Sequence, residues 1–279
     1  MPSIKNPLHW AINKGEVTAR TANRIRQLGI AQIPDAIFST KMLTMQITIP
    51  DINQICEEHL LFAGLLPEHA RILELGCGKA EKTRAIAKDN KVAYLLALET
   101  DAIQHAINLT YTDLPKVQFG LGAAEAIPAA NASFDIVMMF KSLHHVPLEK
   151  LDQAFTEIHR VLKPGGLAYI SEPIFAGEYN EILRLFHDES NVRQAAFAAV
   201  ERAITAGLFD LVEQKFFLSP LRYRDFAQFE NAVIKVTHSQ HQLTATLEAE
   251  VRSKFNSYMT AEGARFLAPI RLDLLRKAP

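Results

Sequence analysis

Arg71-Ile72-Leu73-Glu74-Leu75-Gly76-Cys77-Gly78-Lys79-Ala80 decides how the rest of the chain is read. Ile72 to Leu75 is a short apolar strand, Gly76-Cys77-Gly78 a turn, and a helical run begins near Ala80 and Glu81. Glycines let a backbone approach a ligand closely, and a helix N-terminus offers it free N–H groups. Strand, glycine turn and helix in this order therefore form a loop for a nucleotide-type cofactor.

Working outward, apolar strands alternate with amphipathic helices. Strand 71–76 leads to helix 79–88, and strand Val92–Leu98 to helix 101–109. A short strand follows near Val117–Phe119, then strand Phe134–Phe140 and helix Leu148–Leu162. Lys163-Pro164-Gly165-Gly166 reads as a tight turn before strand Leu167–Ser171. This rhythm predicts an α/β fold with a doubly wound parallel sheet covered on both faces. Before it, Glu16–Leu28 reads as a helix, and Asp51 with Gln54 as a weak capping box opening a helix Ile52–Leu65. Residues 1–68 are taken as a helical cap and 69–279 as the main domain. Helical insertions are expected at about 176–206 and 224–258, the second read as one long or broken polar helix. Leu211–Leu218 reads as a strand, and Arg265–Leu275, which contains Pro269, as an edge or bulged strand.

The bulk numbers exclude several classes. The 279 residues, 48% hydrophobic, suffice for a sizeable core. A net charge of -1 offers no basic field for nucleic acid or an anionic membrane. The first ten residues lack an apolar h-region, and no apolar run nears the ~20 residues of a membrane helix. Only Cys56 and Cys77 are present, one of them in the glycine turn, so a reducing, cytoplasmic setting is expected.

Ligands of open α/β sheets lie outside the carboxyl ends of the strands. That edge collects Glu74, Gly76, Cys77 and Gly78, then Glu99 and Thr100, then Ala123, Ala124 and Glu125. Phe140, Lys141, Ser142, His144 and His145 follow the fourth strand, and Glu172 and Pro173 the fifth. Glu99 suits both hydroxyls of a ribose. Glu74, inside an apolar strand, is costly unless paired, either with a ligand's cationic group or with backbone amides. A dinucleotide is disfavoured, because Glu81 stands where its fingerprint wants glycine, and an acid at a helix start repels a pyrophosphate. No Walker-type Gly-Lys-Ser/Thr sequence is present. A phosphate-free cofactor fits better.

Glu74-Leu-Gly-Cys-Gly, Glu99, Glu125-Ala-Ile-Pro, Ser133-Phe-Asp-Ile-Val, Leu143-His-His-Val and Arg160-Val-Leu-Lys-Pro-Gly-Gly, in this order over about residues 70–175, resemble the class I S-adenosylmethionine-dependent methyltransferases. The resemblance implies a Rossmann-like seven-stranded sheet whose last strand is antiparallel, the segments near 211–218 and 265–275 being its last two strands. It implies S-adenosyl-L-methionine as cofactor: its methionine part at the glycine turn, its ribose at Glu99, its adenine at Ala123, Ala124 and Glu125. The chain departs from the family pattern at Ala80, where a third glycine is common, and at Ala123, where an aspartate often meets the adenine.

The resemblance implies methyl transfer by in-line displacement, which needs alignment and exclusion of water more than acid–base help. His145 is the candidate base where the acceptor must lose a proton; the alternative is a loop histidine that only packs the pocket. No metal site is expected. Phe140-Lys141 stands where metal-dependent members of the family carry an aspartate, and His238 and His241 have metal-compatible spacing without a completing acid or cysteine. The expected acceptor is a small molecule, with Tyr179, Asn180, Arg184 and His187 beside it and Lys141, Arg184, Arg222 and Arg224 available to an anionic group. A protein or RNA acceptor, or a cofactor-binding regulator without methyl transfer, are the rival readings.

Overall fold

The computed structural model describes residues 45–236, 241 and 243–279. The chain divides into two compact units, 1–45 and 46–279. The first, apart from Met45, lies outside the described residues, as do the expected helix Glu16–Leu28 and His238.

The second unit is built on one twisted sheet. Its strands are β1 (Ala70–Leu75), β2 (Val92–Glu99), β3 (Val117–Leu121), β4 (Phe134–Phe140), β5 (Leu162–Pro173), β6 (Phe209–Tyr223), β7 (Met259–Thr260) and β8 (Gly263–Lys277). Their order is β3-β2-β1-β4-β5-β8-β6, with the two-residue β7 pairing β8 off this path. β1 to β5 pair in parallel, whereas β8 runs antiparallel between β5 and β6. The seven-stranded path with an antiparallel last strand is thus as expected. The helices are α1 (His59–Phe62), α2 (Glu81–Ala87), α3 (Ala102–Asn108), α4 (Leu151–Val161), α5 (Glu178–Leu183), α6 (Ser190–Thr205), α7 (Phe226–Phe229) and α8 (Ala245–Asn256).

Apolar runs in β1 and β4 are buried along most of their length, as strands covered on both faces require. Ile72, Leu95, Ile136, Met138, Tyr169, Phe217, Ile270 and Leu272 form the main core with Phe62 and Leu66. The strand order reverses between β1 and β4. Their carboxyl ends, Leu75 and Phe140, flank the crevice where such sheets bind ligands.

Four local expectations are corrected. Residues 51–54 are not helical, and Asp51 caps nothing. Instead Leu218 N donates to Gln54 O (2.7 Å) and Cys56 N to Leu218 O (3.1 Å), so Ile55 bridges the rim of β6. An edge strand presents unpaired N–H and C=O groups, and satisfying them outweighs a weak capping box. Helix remains only at α1, followed by a 3-10 turn at Ala63–Leu65. Residues 163–166 bulge from within β5: Leu162 pairs with Phe134 and Leu167 with Ile136, and the four residues between are passed over. β8 is an interior strand rather than an edge; Pro269 falls just outside the register shared with β5, which ends at Pro173–Ile270, so its missing N–H is not demanded there. Finally, 224–258 is a broken helix as expected, with helical segments at Phe226–Phe229, Glu230–Ile234 and Ala245–Asn256, but it is not polar throughout. Phe226, Phe229 and Phe255 pack with Ile182, Val251 and Phe266 into a second, aromatic core.

Candidate functional site

The glycine turn is held from below. Gly76 N and Cys77 N both donate to Leu98 O, and Ser142 Oγ donates to Leu75 O at 2.8 Å. Gly76 has φ +71°, and a Cβ there would stand 2.7 Å from Ser142 Cβ, so only glycine fits. At Gly78 (φ +50°) a Cβ would meet nothing within 4 Å, and the turn opens onto free space. Ala80, fully buried, is also left-handed (φ 62°), the conformation a third glycine would take without strain. Buried Asn108 of α3 donates to Gly78 O (2.8 Å) and lies 3.5 Å from Cys77 Sγ. Burial pushes the Cys77 thiol well up, with Glu74 and Glu99 adding to it, which leaves an unreactive thiol.

Glu99 is buried, and its carboxylate is already engaged. Oε2 accepts from Gly78 N at 2.7 Å; Oε1 accepts from Thr100 N (2.8 Å) and Asp101 N (3.0 Å). A carboxylate has about four acceptor positions, so one on Oε2 remains. The expected bidentate grip on two ribose hydroxyls therefore meets a carboxylate whose first task is to lock the turn. Gly122 N donates to Glu99 O (3.0 Å), which brings the half-buried Ala123 and Glu125 and the buried Ala124 beside it. Glu74 is fully buried and accepts from Thr83 Oγ1 at 2.6 Å. Burial raises its carboxyl to about 8, outweighing the Thr83 hydroxyl and Lys82.

Half-buried Phe140 packs edge-on against Phe62 (5.5 Å) and at a tilt beside Tyr169 (5.4 Å). Lys141, left-handed at φ 56°, sends Nζ 3.0 Å to Glu58 Oε2, which also takes Lys82 Nζ at 3.0 Å. Burial alone would raise the Glu58 carboxyl, but these two ammoniums hold it below its ordinary value. Glu58 thus ties the segment before β1 to α2 and to the end of β4. Nothing in the local sequence marks it out, since its partners lie 24 and 83 residues away.

Beyond Lys141 lies a cavity of about 280 Å³. Its walls come from the carboxyl ends of β4 and β5, from residues 176–193 and 232–236, and from Ala268–Ile270 of β8. Apolar side chains such as Leu183, Phe186, Leu221 and Val236 share the lining with His145, Tyr179, Asn180 and His187. Arg184 points out to Glu181 (3.2 Å), and Arg222 and Arg224 are exposed and away from the lining, so the expected cationic cluster does not form. Exposed His145 packs at a tilt against buried His144 with ring centres 4.1 Å apart. His144 Nδ1 is 2.5 Å from Glu172 Oε2, and its Nε2 3.4 Å from Glu189 Oε1. Burial opposes charge on this ring, yet Glu172 and Glu189 lift its pKa to about 9. Arg193 Nη2 holds Glu189 Oε2 at 2.5 Å, and His187 Nε2 is 2.8 Å from Glu189 Oε1. In the sequence, Glu189 reads only as an acid opening a helix, and Arg193 as one turn of that helix.

Residues 72–166 match the family model described as a methyltransferase domain. This span is a class I S-adenosylmethionine-dependent methyltransferase domain. The chain is 34% identical over 109 residues to the 27-O-demethylrifamycin SV methyltransferase of Amycolatopsis mediterranei, covering 37% of this chain and 39% of that one. It is 35% identical over 96 residues to the mitochondrial arginine-hydroxylase NDUFAF5 of Rattus norvegicus, covering 34% and 26%. The YcgJ protein of Bacillus subtilis has the same fold at 17% identity, with a TM-score of 0.53 over 80% of this chain and 98% of that one. The chain spans less than half the length of the curated relatives it matches.

The matched span supplies the glycine turn and Glu99, while the cavity draws most of its lining from residues 173–270, outside that span. Two left-handed glycines, open space at Gly78, a rigid acid at Glu99 and acidic Glu81 at the start of α2 fit a cofactor without phosphate.

Proposed function

We propose that this chain transfers a methyl group from S-adenosyl-L-methionine to a small-molecule acceptor. The observation that carries the reading is the cavity of about 280 Å³ that meets the cofactor edge at Lys141 and His145. Its size and mixed lining suit a small organic molecule better than a protein or nucleic acid strand. The bound cofactor supplies an electrophilic methyl group on a sulfonium. Gly76, Cys77 and Gly78 offer it a close backbone cradle, Glu99 the remaining acceptor position of Oε2 with Thr100 beside it, and Ala123, Ala124 and Glu125 a small-residue shelf for adenine. Phe140 shapes this floor from beneath and Lys141 marks its border with the cavity. His145 stands at that border, where an acceptor hydroxyl would give up its proton; His144, clamped by two carboxylates, is poorly placed to accept one. The helices over the carboxyl edge align the acceptor and exclude water.

One relative carries a methyltransferase name and another a hydroxylase name, so cofactor binding and methyl transfer need separate tests. Calorimetric titration with S-adenosylmethionine should show one site, weakened at least about tenfold in Glu99→Ala, the scale of one lost charged hydrogen bond. No detectable binding overturns the proposal. With the cofactor bound, transfer of labelled methyl across a panel of small phenols, hydroxy acids and amines reads out the acceptor. His145→Ala should lower kcat about 10²-fold or more for an acceptor that must be deprotonated; an unchanged rate removes the base.

A further inference from the structure

One wall of the cavity gathers donor groups of which the methyl-transfer reading uses only His145, and that one only for an acceptor that must lose a proton. His144 and His145 sit on a 3-10 turn after β4, Glu189 precedes α6, and Glu172 ends β5. We propose that His144, His145 and Glu189 bind a divalent transition-metal ion. One ligand atom from each lies within 4.8 Å of the others.

The spacing favours an ion over a plain ion pair. Two ligands about 2.1 Å from a shared ion, at tetrahedral to octahedral angles, stand about 3.0–3.4 Å apart. His144 Nε2 and Glu189 Oε1 stand 3.4 Å apart, long for a charged hydrogen bond and right for two ligands of one ion. His145 already places a ring nitrogen within 4.8 Å of the other two ligand atoms. The supporting groups are those of a ligand set. Glu172 at His144 Nδ1 (2.5 Å) fixes the tautomer that leaves the Nε2 lone pair facing Glu189. Arg193 holds Glu189 Oε2, which turns Oε1 towards the other ligands. His187 Nε2, 2.8 Å from Glu189 Oε1, stands by as a fourth ligand or a second partner.

With neutral imidazoles, two buried carboxylates here face one guanidinium, and the Arg271–Asp273 pair lies behind Glu172. A divalent cation held by His144, His145 and Glu189 offsets this charge. Two imidazoles and a carboxylate suit Zn²⁺, Fe²⁺, Co²⁺ or Mn²⁺ rather than Ca²⁺ or Mg²⁺. Because His144, His145 and Glu189 all line the cavity, the ion's remaining positions face it and are open to water or an acceptor oxygen. That last step, holding and polarising an acceptor oxygen, rests on the proposed methyl transfer; metal binding itself does not.

The test uses the full chain, tag removed and treated with chelator, at pH 8. Titration with Co²⁺ should give one equivalent with a visible d–d absorption band, and Zn²⁺ should displace it. His145→Ala and Glu189→Gln should each weaken Co²⁺ binding at least about tenfold, whereas His59→Gln, on exposed α1, should leave it unchanged. The His145 side chain is exposed, so that variant keeps its fold and decides the matter even if Glu189→Gln does not. Absence of Co²⁺ binding, or equal affinity in wild type and His145→Ala, overturns the site. The same samples titrated with S-adenosylmethionine separate the two proposals. Cofactor binding without metal binding refutes only the ion site, and the reverse refutes only the methyltransferase reading.

Discussion

Gly76 and Glu74 show how two positions of one turn serve different ends. Gly76→Ala adds a methyl group 2.7 Å from Ser142 Cβ on a left-handed backbone. The left-handed conformation alone costs about 1–2 kcal/mol, and the overlap adds to it. Ser142→Gly in the same background should recover the overlap and leave the backbone cost. A double-mutant cycle by denaturant unfolding checks this, and zero coupling would refute the contact. Glu74 is a matter of protons. Its carboxyl is raised from 4.5 to about 8 by burial, so the folded state binds a proton that the unfolded chain releases. The stability this contributes is present in full below about pH 4.5 and disappears as pH rises through 8. Stability of the free protein should therefore fall across this window by a few kcal/mol, and Glu74→Gln should remove that part of the slope. His144, raised to about 9, acts in the same direction at higher pH, so the comparison of variants isolates Glu74.

Among elements, the segment before β1 is held by few contacts of high value. Ile55 bridges β6, and the fully buried Glu58 carboxylate joins Lys82 of α2 and Lys141 after β4. Both lysines are about one-third exposed (32% and 33%), so water takes them up when Glu58 loses its charge. Glu58→Gln should therefore cost about 1–3 kcal/mol, below the cost of stranding a fully buried partner. Hydrogen exchange should locate the change: amides 54–62 become faster while those of β1 and β4 keep their protection. Unchanged exchange at 54–62 would show that the ion pairs do not hold the segment. The aromatic core of α5, α7, α8 and β8 is the other element-scale device. It gives residues 224–258 an apolar anchor that their polar average conceals, and it sets α5, with Tyr179 and Asn180, against the cavity.

At the scale of the molecule, the last strand in sequence is interior in space. β8 pairs β5 on one side and β6 on the other, and Ile270, Leu272 and Leu274 enter the main core. A chain ending at Glu262 would expose both neighbouring edges and empty part of two cores. It should show no cooperative thermal transition and bind dye as a loosely packed state does; a sharp transition would show that β1 to β5 fold unaided. Among the described residues no helix is long and apolar enough to cross a membrane.

What the sequence determined by itself was local. Apolar runs of six to eight residues between helical patterns made β1, β2 and β4 legible, because burial on both faces leaves a nearly continuous imprint on each strand. Glycine at 76 and 78 marked the turn, because glycine takes left-handed backbone without strain and, at 76, is the residue that fits against Ser142. Glu99, one strand later, marked the acid beside it. Tertiary structure decided whatever depended on distant partners. The helix expected at 52–65 gave way because the rim of β6, more than 150 residues away, offers its backbone better partners. Phe140, read from the sequence as a strand end at the ligand edge, is half-buried and packs its ring against Phe62 and Tyr169, contacts that only folding supplies. Glu58, Glu172, Glu189 and Arg193 carry no motif; their charges are tolerable in the interior only because folding brings them together. The glycine-turn edge was therefore written in short-range pattern, and the cavity with its histidine wall exists only in the packed molecule.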